Sequence, residues 1–145
     1  MMIRIATELD LNVLMCIEQA AHSHPWTPSI LLPYINKKCV HVGLVNEQIV
    51  GFAVLRVVAD EAELLNIAIA PEQQGQGYGA MLLIAVLHVA QGKASQCYLE
   101  VRESNQAAIA LYERYDFVQV GMRPRYYPTD SGYEDALLYA RELCD

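Results

Sequence analysis

Residues 64–80 read LLNIAIAPEQQGQGYGA, and this run constrains the fold more than any other part of the chain. Its apolar start (Leu64, Leu65, Ile67, Ala68, Ile69) has the length and composition of a strand, and Pro71 ends it. Gly75, Gly77 and Gly79 follow at alternate positions, and a long apolar helical pattern opens at Met81. A strand, a glycine turn and a helix N-terminus together make an anion cradle. Glycines let the backbone approach a ligand, and the first-turn N–H groups have no partner within the helix. The stretch therefore predicts a pyrophosphate-binding turn.

The flanking segments predict what surrounds it. Met2 to Ile5 reads as a first strand. Thr7 and Asp10 open a helix that Leu11, Leu14 and Met15 carry to about Ala21. His22 to Trp26 breaks the pattern. Thr27 and Pro28 start a short helix to about Pro33 or Tyr34. Cys39 to Val45 and Ile49 to Val58 form a hairpin turned at Asn46-Glu47, and Glu63 to Ile69 adds a third antiparallel strand. The helix from Met81 is apolar nearly all round, so it is expected to be buried on more than one face, His88 included, and to stop at Gly92. Cys97 to Val101 is the next strand. Ser104 or Asn105 caps a helix to about Arg114. Phe117 to Arg123 and Tyr133 to Glu142 are the last strands, with Pro124 at an edge or bulge and Tyr126 to Gly132 a loop.

This order is β-α-α-β-β-β-α-β-α-β-β, an α/β (α+β) chain with a mixed central sheet of about seven strands and about four helices. The strand–helix–strand unit around the glycines is a βαβ crossover, so an antiparallel meander turns parallel at the cradle, where ligands often bind. The 145 residues suit a single domain over 1–145.

Composition narrows the ligand. A net charge of −7 argues against direct nucleic-acid binding and fits a basic partner. Cys16, Cys39, Cys97 and Cys144 show no metal-ligand spacing and read mostly as small buried hydrophobes, so no metal is expected. No stretch has the length of a membrane span and no signal peptide is visible, which points to a cytoplasmic protein without a membrane partner. A P-loop needs Lys-Ser/Thr after its last glycine, where Ala80-Met81 stand. A dinucleotide fingerprint needs GxGxxG, whereas Gly75, Gly77 and Gly79 are spaced GxGxG.

The remaining pattern is Q/R-x-x-G-x-G/A, met by Gln74, Gly77 and Gly79 after a strand and before a long helix. Here the chain resembles the GNAT superfamily of acyl-CoA-dependent N-acetyltransferases, whose fold has the element order above. Further segments resemble the bacterial ribosomal-protein-alanine N-acetyltransferases. These are Ile17-Glu18-Gln19, Pro25-Trp26, Asn66-Ile67-Ala68, LEVRESN (99–105), AIALY (108–112) and YYPT (126–129). The resemblance implies acetyl transfer from acetyl-CoA to the N-terminal alanine amine of a small-subunit ribosomal protein, number eighteen, by a monomer. It implies a cofactor grip along 74–80 (Gln74, Gly75, Gln76, Gly77, Tyr78, Gly79, Ala80) and a rail for the pantetheine arm at Ile67, Ala68 and Ile69. Where the family commonly carries Arg, this chain has Gly75, which leaves phosphate contacts to backbone N–H groups.

Acetyl transfer to an amine needs a proton acceptor, a group that steadies the carbonyl oxygen, and a donor for the leaving sulfur. Alternation along Tyr98-Leu99-Glu100-Val101 puts Glu100 at a strand end near the ligand edge, either as a solvated carboxylate or as the base; the resemblance implies the base. Asn105, Ala108 and Tyr112 share a helix stripe, with Asn105 able to bond the arm. Tyr112 is a packing aromatic by periodicity and the proton donor by resemblance. Trp26, Tyr126, Tyr127 and Tyr133 are the candidate peptide-side residues, although Trp26 could equally staple the second helix to the core. No histidine finds a catalytic partner by spacing, and no nucleophile motif is present, which favours direct attack in a ternary complex. A relative acting on another peptide or a small amine would share the whole cradle. A non-catalytic acyl-CoA sensor would not need both Glu100 and Tyr112.

Overall fold

A computed structural model describes residues 1–143 and places them in one seven-stranded sheet, ordered β1-β2-β3-β4-β5-β7-β6. The elements are β1 (Met2–Ile5), α1 (Leu11–Ala21), α2 (Pro28–Asn36), β2 (Val40–Val45), β3 (Gln48–Val58) and β4 (Glu61–Ile69). They continue with α3 (Tyr78–Gln91), β5 (Gln96–Arg102), α4 (Gln106–Arg114), β6 (Val118–Thr129) and β7 (Gly132–Glu142). The expected order and the single parallel pairing, β4 with β5, are both present. The fold is thus the mixed sheet with four helices that the sequence predicts.

Alternation in β3 builds the two cores. Phe52 and Val54 face α1 and α2, where Leu14, Met15, Leu31 and Ile35 cover them. Ala53 and Leu55 face the other way, into a core with Leu82, Leu83, Val86 and Leu87 of α3 and Ile109 and Tyr112 of α4.

One irregularity shapes the molecule's centre. In β3 and β4, Val54 pairs with Asn66 but Leu55 pairs with Leu64, so Leu65 is an extra residue in β4. The parallel ladder between β4 and β5 runs only from Glu61–Gln96 to Leu64–Leu99 and stops at this bulge. Beyond it β4 continues to Ile69 and β5 to Arg102 without pairing each other, which opens a gap in the middle of the sheet.

Four expectations need correction. The segment after Pro124 is not a loop: β6 runs through Tyr126 and Tyr127 to Thr129 and pairs with β7 across a two-residue turn, Asp130-Ser131. As the sheet's outer strand, β6 tolerates Pro124 and Pro128, and its register shifts between Arg123 and Tyr127. Next, α3 starts at Tyr78, a turn earlier than its apolar pattern, and buries one broad face; Met81, Ile84 and His88 are exposed. The buried histidine is His41, on β2. Finally, Cys16 lies on the solvent side of α1 and only Cys97 is fully buried, while Cys144 lies outside the described residues. Helix α2 also carries on through Pro33 to Asn36.

Candidate functional site

The gap has two sides. On one, β4 offers free backbone. Ala70 N–H donates to Val50 C=O at 2.8 Å, so by ladder alternation Ala68 and Asn66 also bond β3, while Ile67 and Ile69 turn their N–H and C=O groups toward the gap. The expected rail is therefore Ile67 and Ile69; Ala68 is buried with its backbone committed to β3.

The glycine turn continues this line. Gly75 and Gly77 sit at φ of +80° and +85°, and a Cβ at either would meet no atom within 4 Å. The backbone N–H groups of residues 75–80 make no hydrogen bond among the described residues. Six consecutive donors at a helix N-terminus, with open space in front, fit a pyrophosphate. Gln76, Tyr78 and Ala80 contribute through their backbone. Gly79 lies within the first turn of α3, close to Ile69 and Leu111. Gln74 does not point a side chain into the cradle: its Nε2 donates to Ile69 C=O at 2.9 Å and braces the turn against β4.

On the other side stand β5 and α4. Asn105 caps α4, its Oδ1 accepting from Ala108 N–H at 3.3 Å. Two turns on from Asn105, Tyr112 is 6% exposed, and its hydroxyl makes no hydrogen bond to another described residue. Burial, and after it the neighbouring Tyr127 and Cys97, push this phenol well above its ordinary pKa, so it stays protonated.

Two clefts meet here. A cleft of about 410 Å³ is lined by Asn66, Ile67, Asn105, Ala108, Tyr112 and Trp26, among others. A wider groove of about 670 Å³ crosses the face of β4, β5, β7 and β6 that α1 and α2 leave uncovered, past Glu63, Tyr98, Arg123 and Tyr126. Glu100 and Tyr127 line both. Glu100 pairs with Arg123 at 3.2 Å. Burial, then the Glu100 charge, pushes the Tyr127 phenol up to about 12.

The hairpin carrying Tyr126 and Tyr127 is tied down by Arg102. Its guanidinium lies 4.5 Å from the Tyr127 ring centre and donates to Pro128 C=O at 2.8 Å and to Glu134 at 3.2 Å. Glu134 also accepts from Ser104 N–H at 3.0 Å, and Asp135 accepts from Arg125 N–H at 2.9 Å. Tyr133 is 60% exposed and lines neither cleft. Trp26 lines the smaller cleft and also stacks on Tyr34 of α2, with ring centres 5.6 Å apart.

Glu18 was not among the expected site residues. It lies in the smaller cleft, 1% exposed, and accepts from His22 Nδ1 at 2.9 Å, Trp26 N–H at 2.9 Å and Asn66 Nδ2 at 3.1 Å. Burial alone would raise its pKa, but the bonds from His22 and Trp26 outweigh it and hold the carboxyl below its ordinary value. The i,i+4 spacing of Glu18 and His22 was legible; the contact with Asn66, 48 residues away, was not.

Comparison with known proteins agrees with this geometry. The chain is 39% identical to the ribosomal protein bS18-alanine N-acetyltransferase of Salmonella typhimurium over 95% of each chain. It is 42% identical to the Haemophilus influenzae protein of the same name, over 90% of this chain and 91% of that one. The crystal structure of the Escherichia coli ribosomal-protein-S18-alanine N-acetyltransferase superposes with a TM-score of 0.92 at 37% identity, covering 98% of this chain and 93% of that chain. Residues 11–117 match the acetyltransferase (GNAT) family. On these matches the chain belongs to the acetyltransferase (GNAT) family.

Proposed function

We propose that this protein acetylates the N-terminal alanine of ribosomal protein bS18, using acetyl-CoA. The observation that carries the reading is the meeting of two clefts at Glu100, one lined by Ile67 beside the gap and one running across the sheet face past Tyr98, Arg123 and Tyr126. Relatives named for this reaction, matching nearly end to end, support the choice of substrate.

Acetyl-CoA supplies an activated thioester carbonyl and a sulfur leaving group. The N–H groups of residues 75–80 hold its pyrophosphate, and Ile67 and Ile69 hold the arm by strand-like bonds while Asn105 flanks it. A backbone N–H of this rail steadies the carbonyl oxygen as it gains charge. Tyr126, Tyr127 and Trp26 wall the amine end of the peptide. A free α-amino group has a pKa of about 7.7–8.0, so a carboxylate suffices to take its proton, directly or through water. Glu100 is that acceptor, and the incoming ammonium replaces the Arg123 guanidinium beside it. Tyr112 donates to the departing sulfur. Nitrogen bonds to the carbonyl carbon as the carbon–sulfur bond breaks, its second proton returns through water to the Tyr112 oxygen that protonated the sulfur, and no covalent enzyme intermediate is required.

The test is mass spectrometry of the purified protein with acetyl-CoA and three acceptors: a peptide with the bS18 N-terminus, an N-blocked lysine peptide and a polyamine. The expected product is the first peptide, acetylated once at its α-amine. Acetylation of the polyamine or the lysine peptide alone would overturn the substrate; no product with any amine, alongside tight acetyl-CoA binding, would make the protein a sensor.

A further inference from the structure

Glu18 is a costly residue to bury. An ionised carboxylate loses several kcal/mol of hydration inside a protein, and well-packed apolar replacements of buried ionic groups are often neutral or stabilising. Stability alone does not account for a carboxylate 1% exposed at the wall of the reaction cleft. Its partners suggest what does. They come from three places: His22 at the end of α1, the backbone of Trp26 in the α1–α2 connection, and Asn66 on β4. The other hydrogen bonds of residues 22–27 are local to that segment or to the adjoining helices: His22 N–H to Glu18 C=O, Ser23 to His24, Thr27 to Ser29, and Ile30 and Leu31 N–H to Thr27 C=O. Trp26 stacks on Tyr34 of α2, which does not anchor the segment to the sheet. Glu18 with Asn66 is thus the polar tie between this connection and the sheet among the described residues.

That tie sits where the two sides of the site join. Asn66 immediately precedes Ile67, whose backbone faces the gap, while Trp26 and His22 line the same cleft as Tyr112 and Tyr127. We propose that Glu18 is a positioning residue for the peptide side: it fixes the α1–α2 wall against β4, so that an N-terminal residue is held at a set distance from the thioester. This rests on the peptide acetyltransferase reading above. The cradle at 75–80 shares none of these bonds, so the effect falls on peptide affinity and spares acetyl-CoA.

The experiment is steady-state kinetics with the bS18 N-terminal peptide and acetyl-CoA varied in turn, on wild type, Glu18→Met, Glu18→Gln and Asn66→Ala. Glu18→Met removes all acceptors while filling the space. It is expected to raise the peptide KM about tenfold with the acetyl-CoA KM little changed, and to lower the melting temperature because it orphans the donors of His22, Trp26 and Asn66. Glu18→Gln keeps one acceptor oxygen and is expected to recover part of that loss. Asn66→Ala cuts the tie from the sheet side, so it reports on the same wall if Glu18→Met does not fold. A peptide KM within twofold of wild type in the folded variants, or a matching rise in both KM values, overturns the proposal. Failure of wild type to acetylate the peptide would instead overturn the functional reading.

Discussion

The two sides of the split sheet are built from different materials. The proposed cofactor side is backbone: N–H groups of residues 75–80, the gap-facing edge of Ile67 and Ile69, and glycines that keep the approach open. The proposed peptide side is side chains from distant segments, namely Glu18 and Trp26, Glu100 and Arg102, and Arg123, Tyr126 and Tyr127 on the outer hairpin. A backbone surface recognises what every acyl-CoA shares, whereas a side-chain surface can change its acceptor without disturbing the cradle. Substitutions that fill the open approach on the first side should therefore abolish binding outright, and those on the second should divide between rate and peptide affinity.

Gly77→Val presses hardest on that difference. It forces a β-branched residue to φ +85°, a region that costs an L-residue roughly 1–2 kcal/mol, and aims its side chain into the open cradle. Calorimetry is expected to find no measurable acetyl-CoA binding. Gly79→Ala is the contrast. Its Cβ would lie 3.8 Å from Ile69 and 3.9 Å from Leu111, ordinary contacts, so the protein keeps its fold and much of its affinity. Normal affinity in Gly77→Val would move the cofactor away from this turn.

Glu100→Gln comes next. Loss of a positioned base typically costs about 10²–10⁴ in rate, so kcat is expected to fall in that range while acetyl-CoA binds as before. Unchanged turnover would remove Glu100 from the proton-acceptor role. Tyr112→Phe should be milder, near tenfold in kcat, in line with about 1.5 kcal/mol for a hydrogen bond to a charged group. Its hydroxyl bonds no other described residue, so removing it orphans no group among them and the melting temperature should hold. A lower melting temperature with a normal rate would make Tyr112 a packing residue.

Arg102→Ala probes the peptide side at one remove. It releases the Tyr127 ring, Pro128 and Glu134 together, yet touches nothing in the cradle. The peptide KM is expected to rise about threefold and the acetyl-CoA KM to stay put, because Arg102, largely buried beside Glu134, acts on the peptide only through the hairpin that it holds. Equal changes in both constants would mean that the hairpin supports the whole site.

The same division explains what the sequence revealed. Backbone sites are written as local patterns. An apolar strand, Pro71, spaced glycines and a helix announce the cradle within some seventeen residues, from Leu64 to Ala80. Local patterns also narrowed the α4 cap to Ser104 or Asn105 and placed the β2–β3 hairpin turn at Asn46-Glu47. They missed the bulge at Leu65, because one extra residue in a strand leaves no compositional mark, and with it the opening of the gap. They assigned Gln74 to the ligand because its spacing cannot tell a phosphate contact from a brace on Ile69. Pro124 was legible as an edge or bulge residue, but Tyr126 to Gly132 looked like a loop; the pairing with β7 that extends the outer strand to Thr129 is a long-range fact. Glu18 was invisible as a site residue because its meaning depends on Asn66, a partner that folding alone brings near.

The smallest expected effect supplies the yardstick for the others. Asp10 lies outside both clefts and accepts from Arg4 at 2.8 and 2.9 Å and from Thr7 N–H at 2.8 Å. The bond from Arg4 is the main cause that lowers its pKa below the ordinary 3.8, against the opposing effect of burial. A carboxyl with a lowered folded-state pKa stabilises the protein above its unfolded value and loses that contribution as pH falls through the folded one. Asp10→Asn is therefore expected to lower the melting temperature by about 2 °C at pH 7, and by nothing once the pH is well below 3.8. Both KM values should stay at wild-type level. If this peripheral loss of stability raised the peptide KM, then the changes at Glu18 and Arg102 would report loosening of the fold, and the two sides of the sheet would no longer be separable by kinetics.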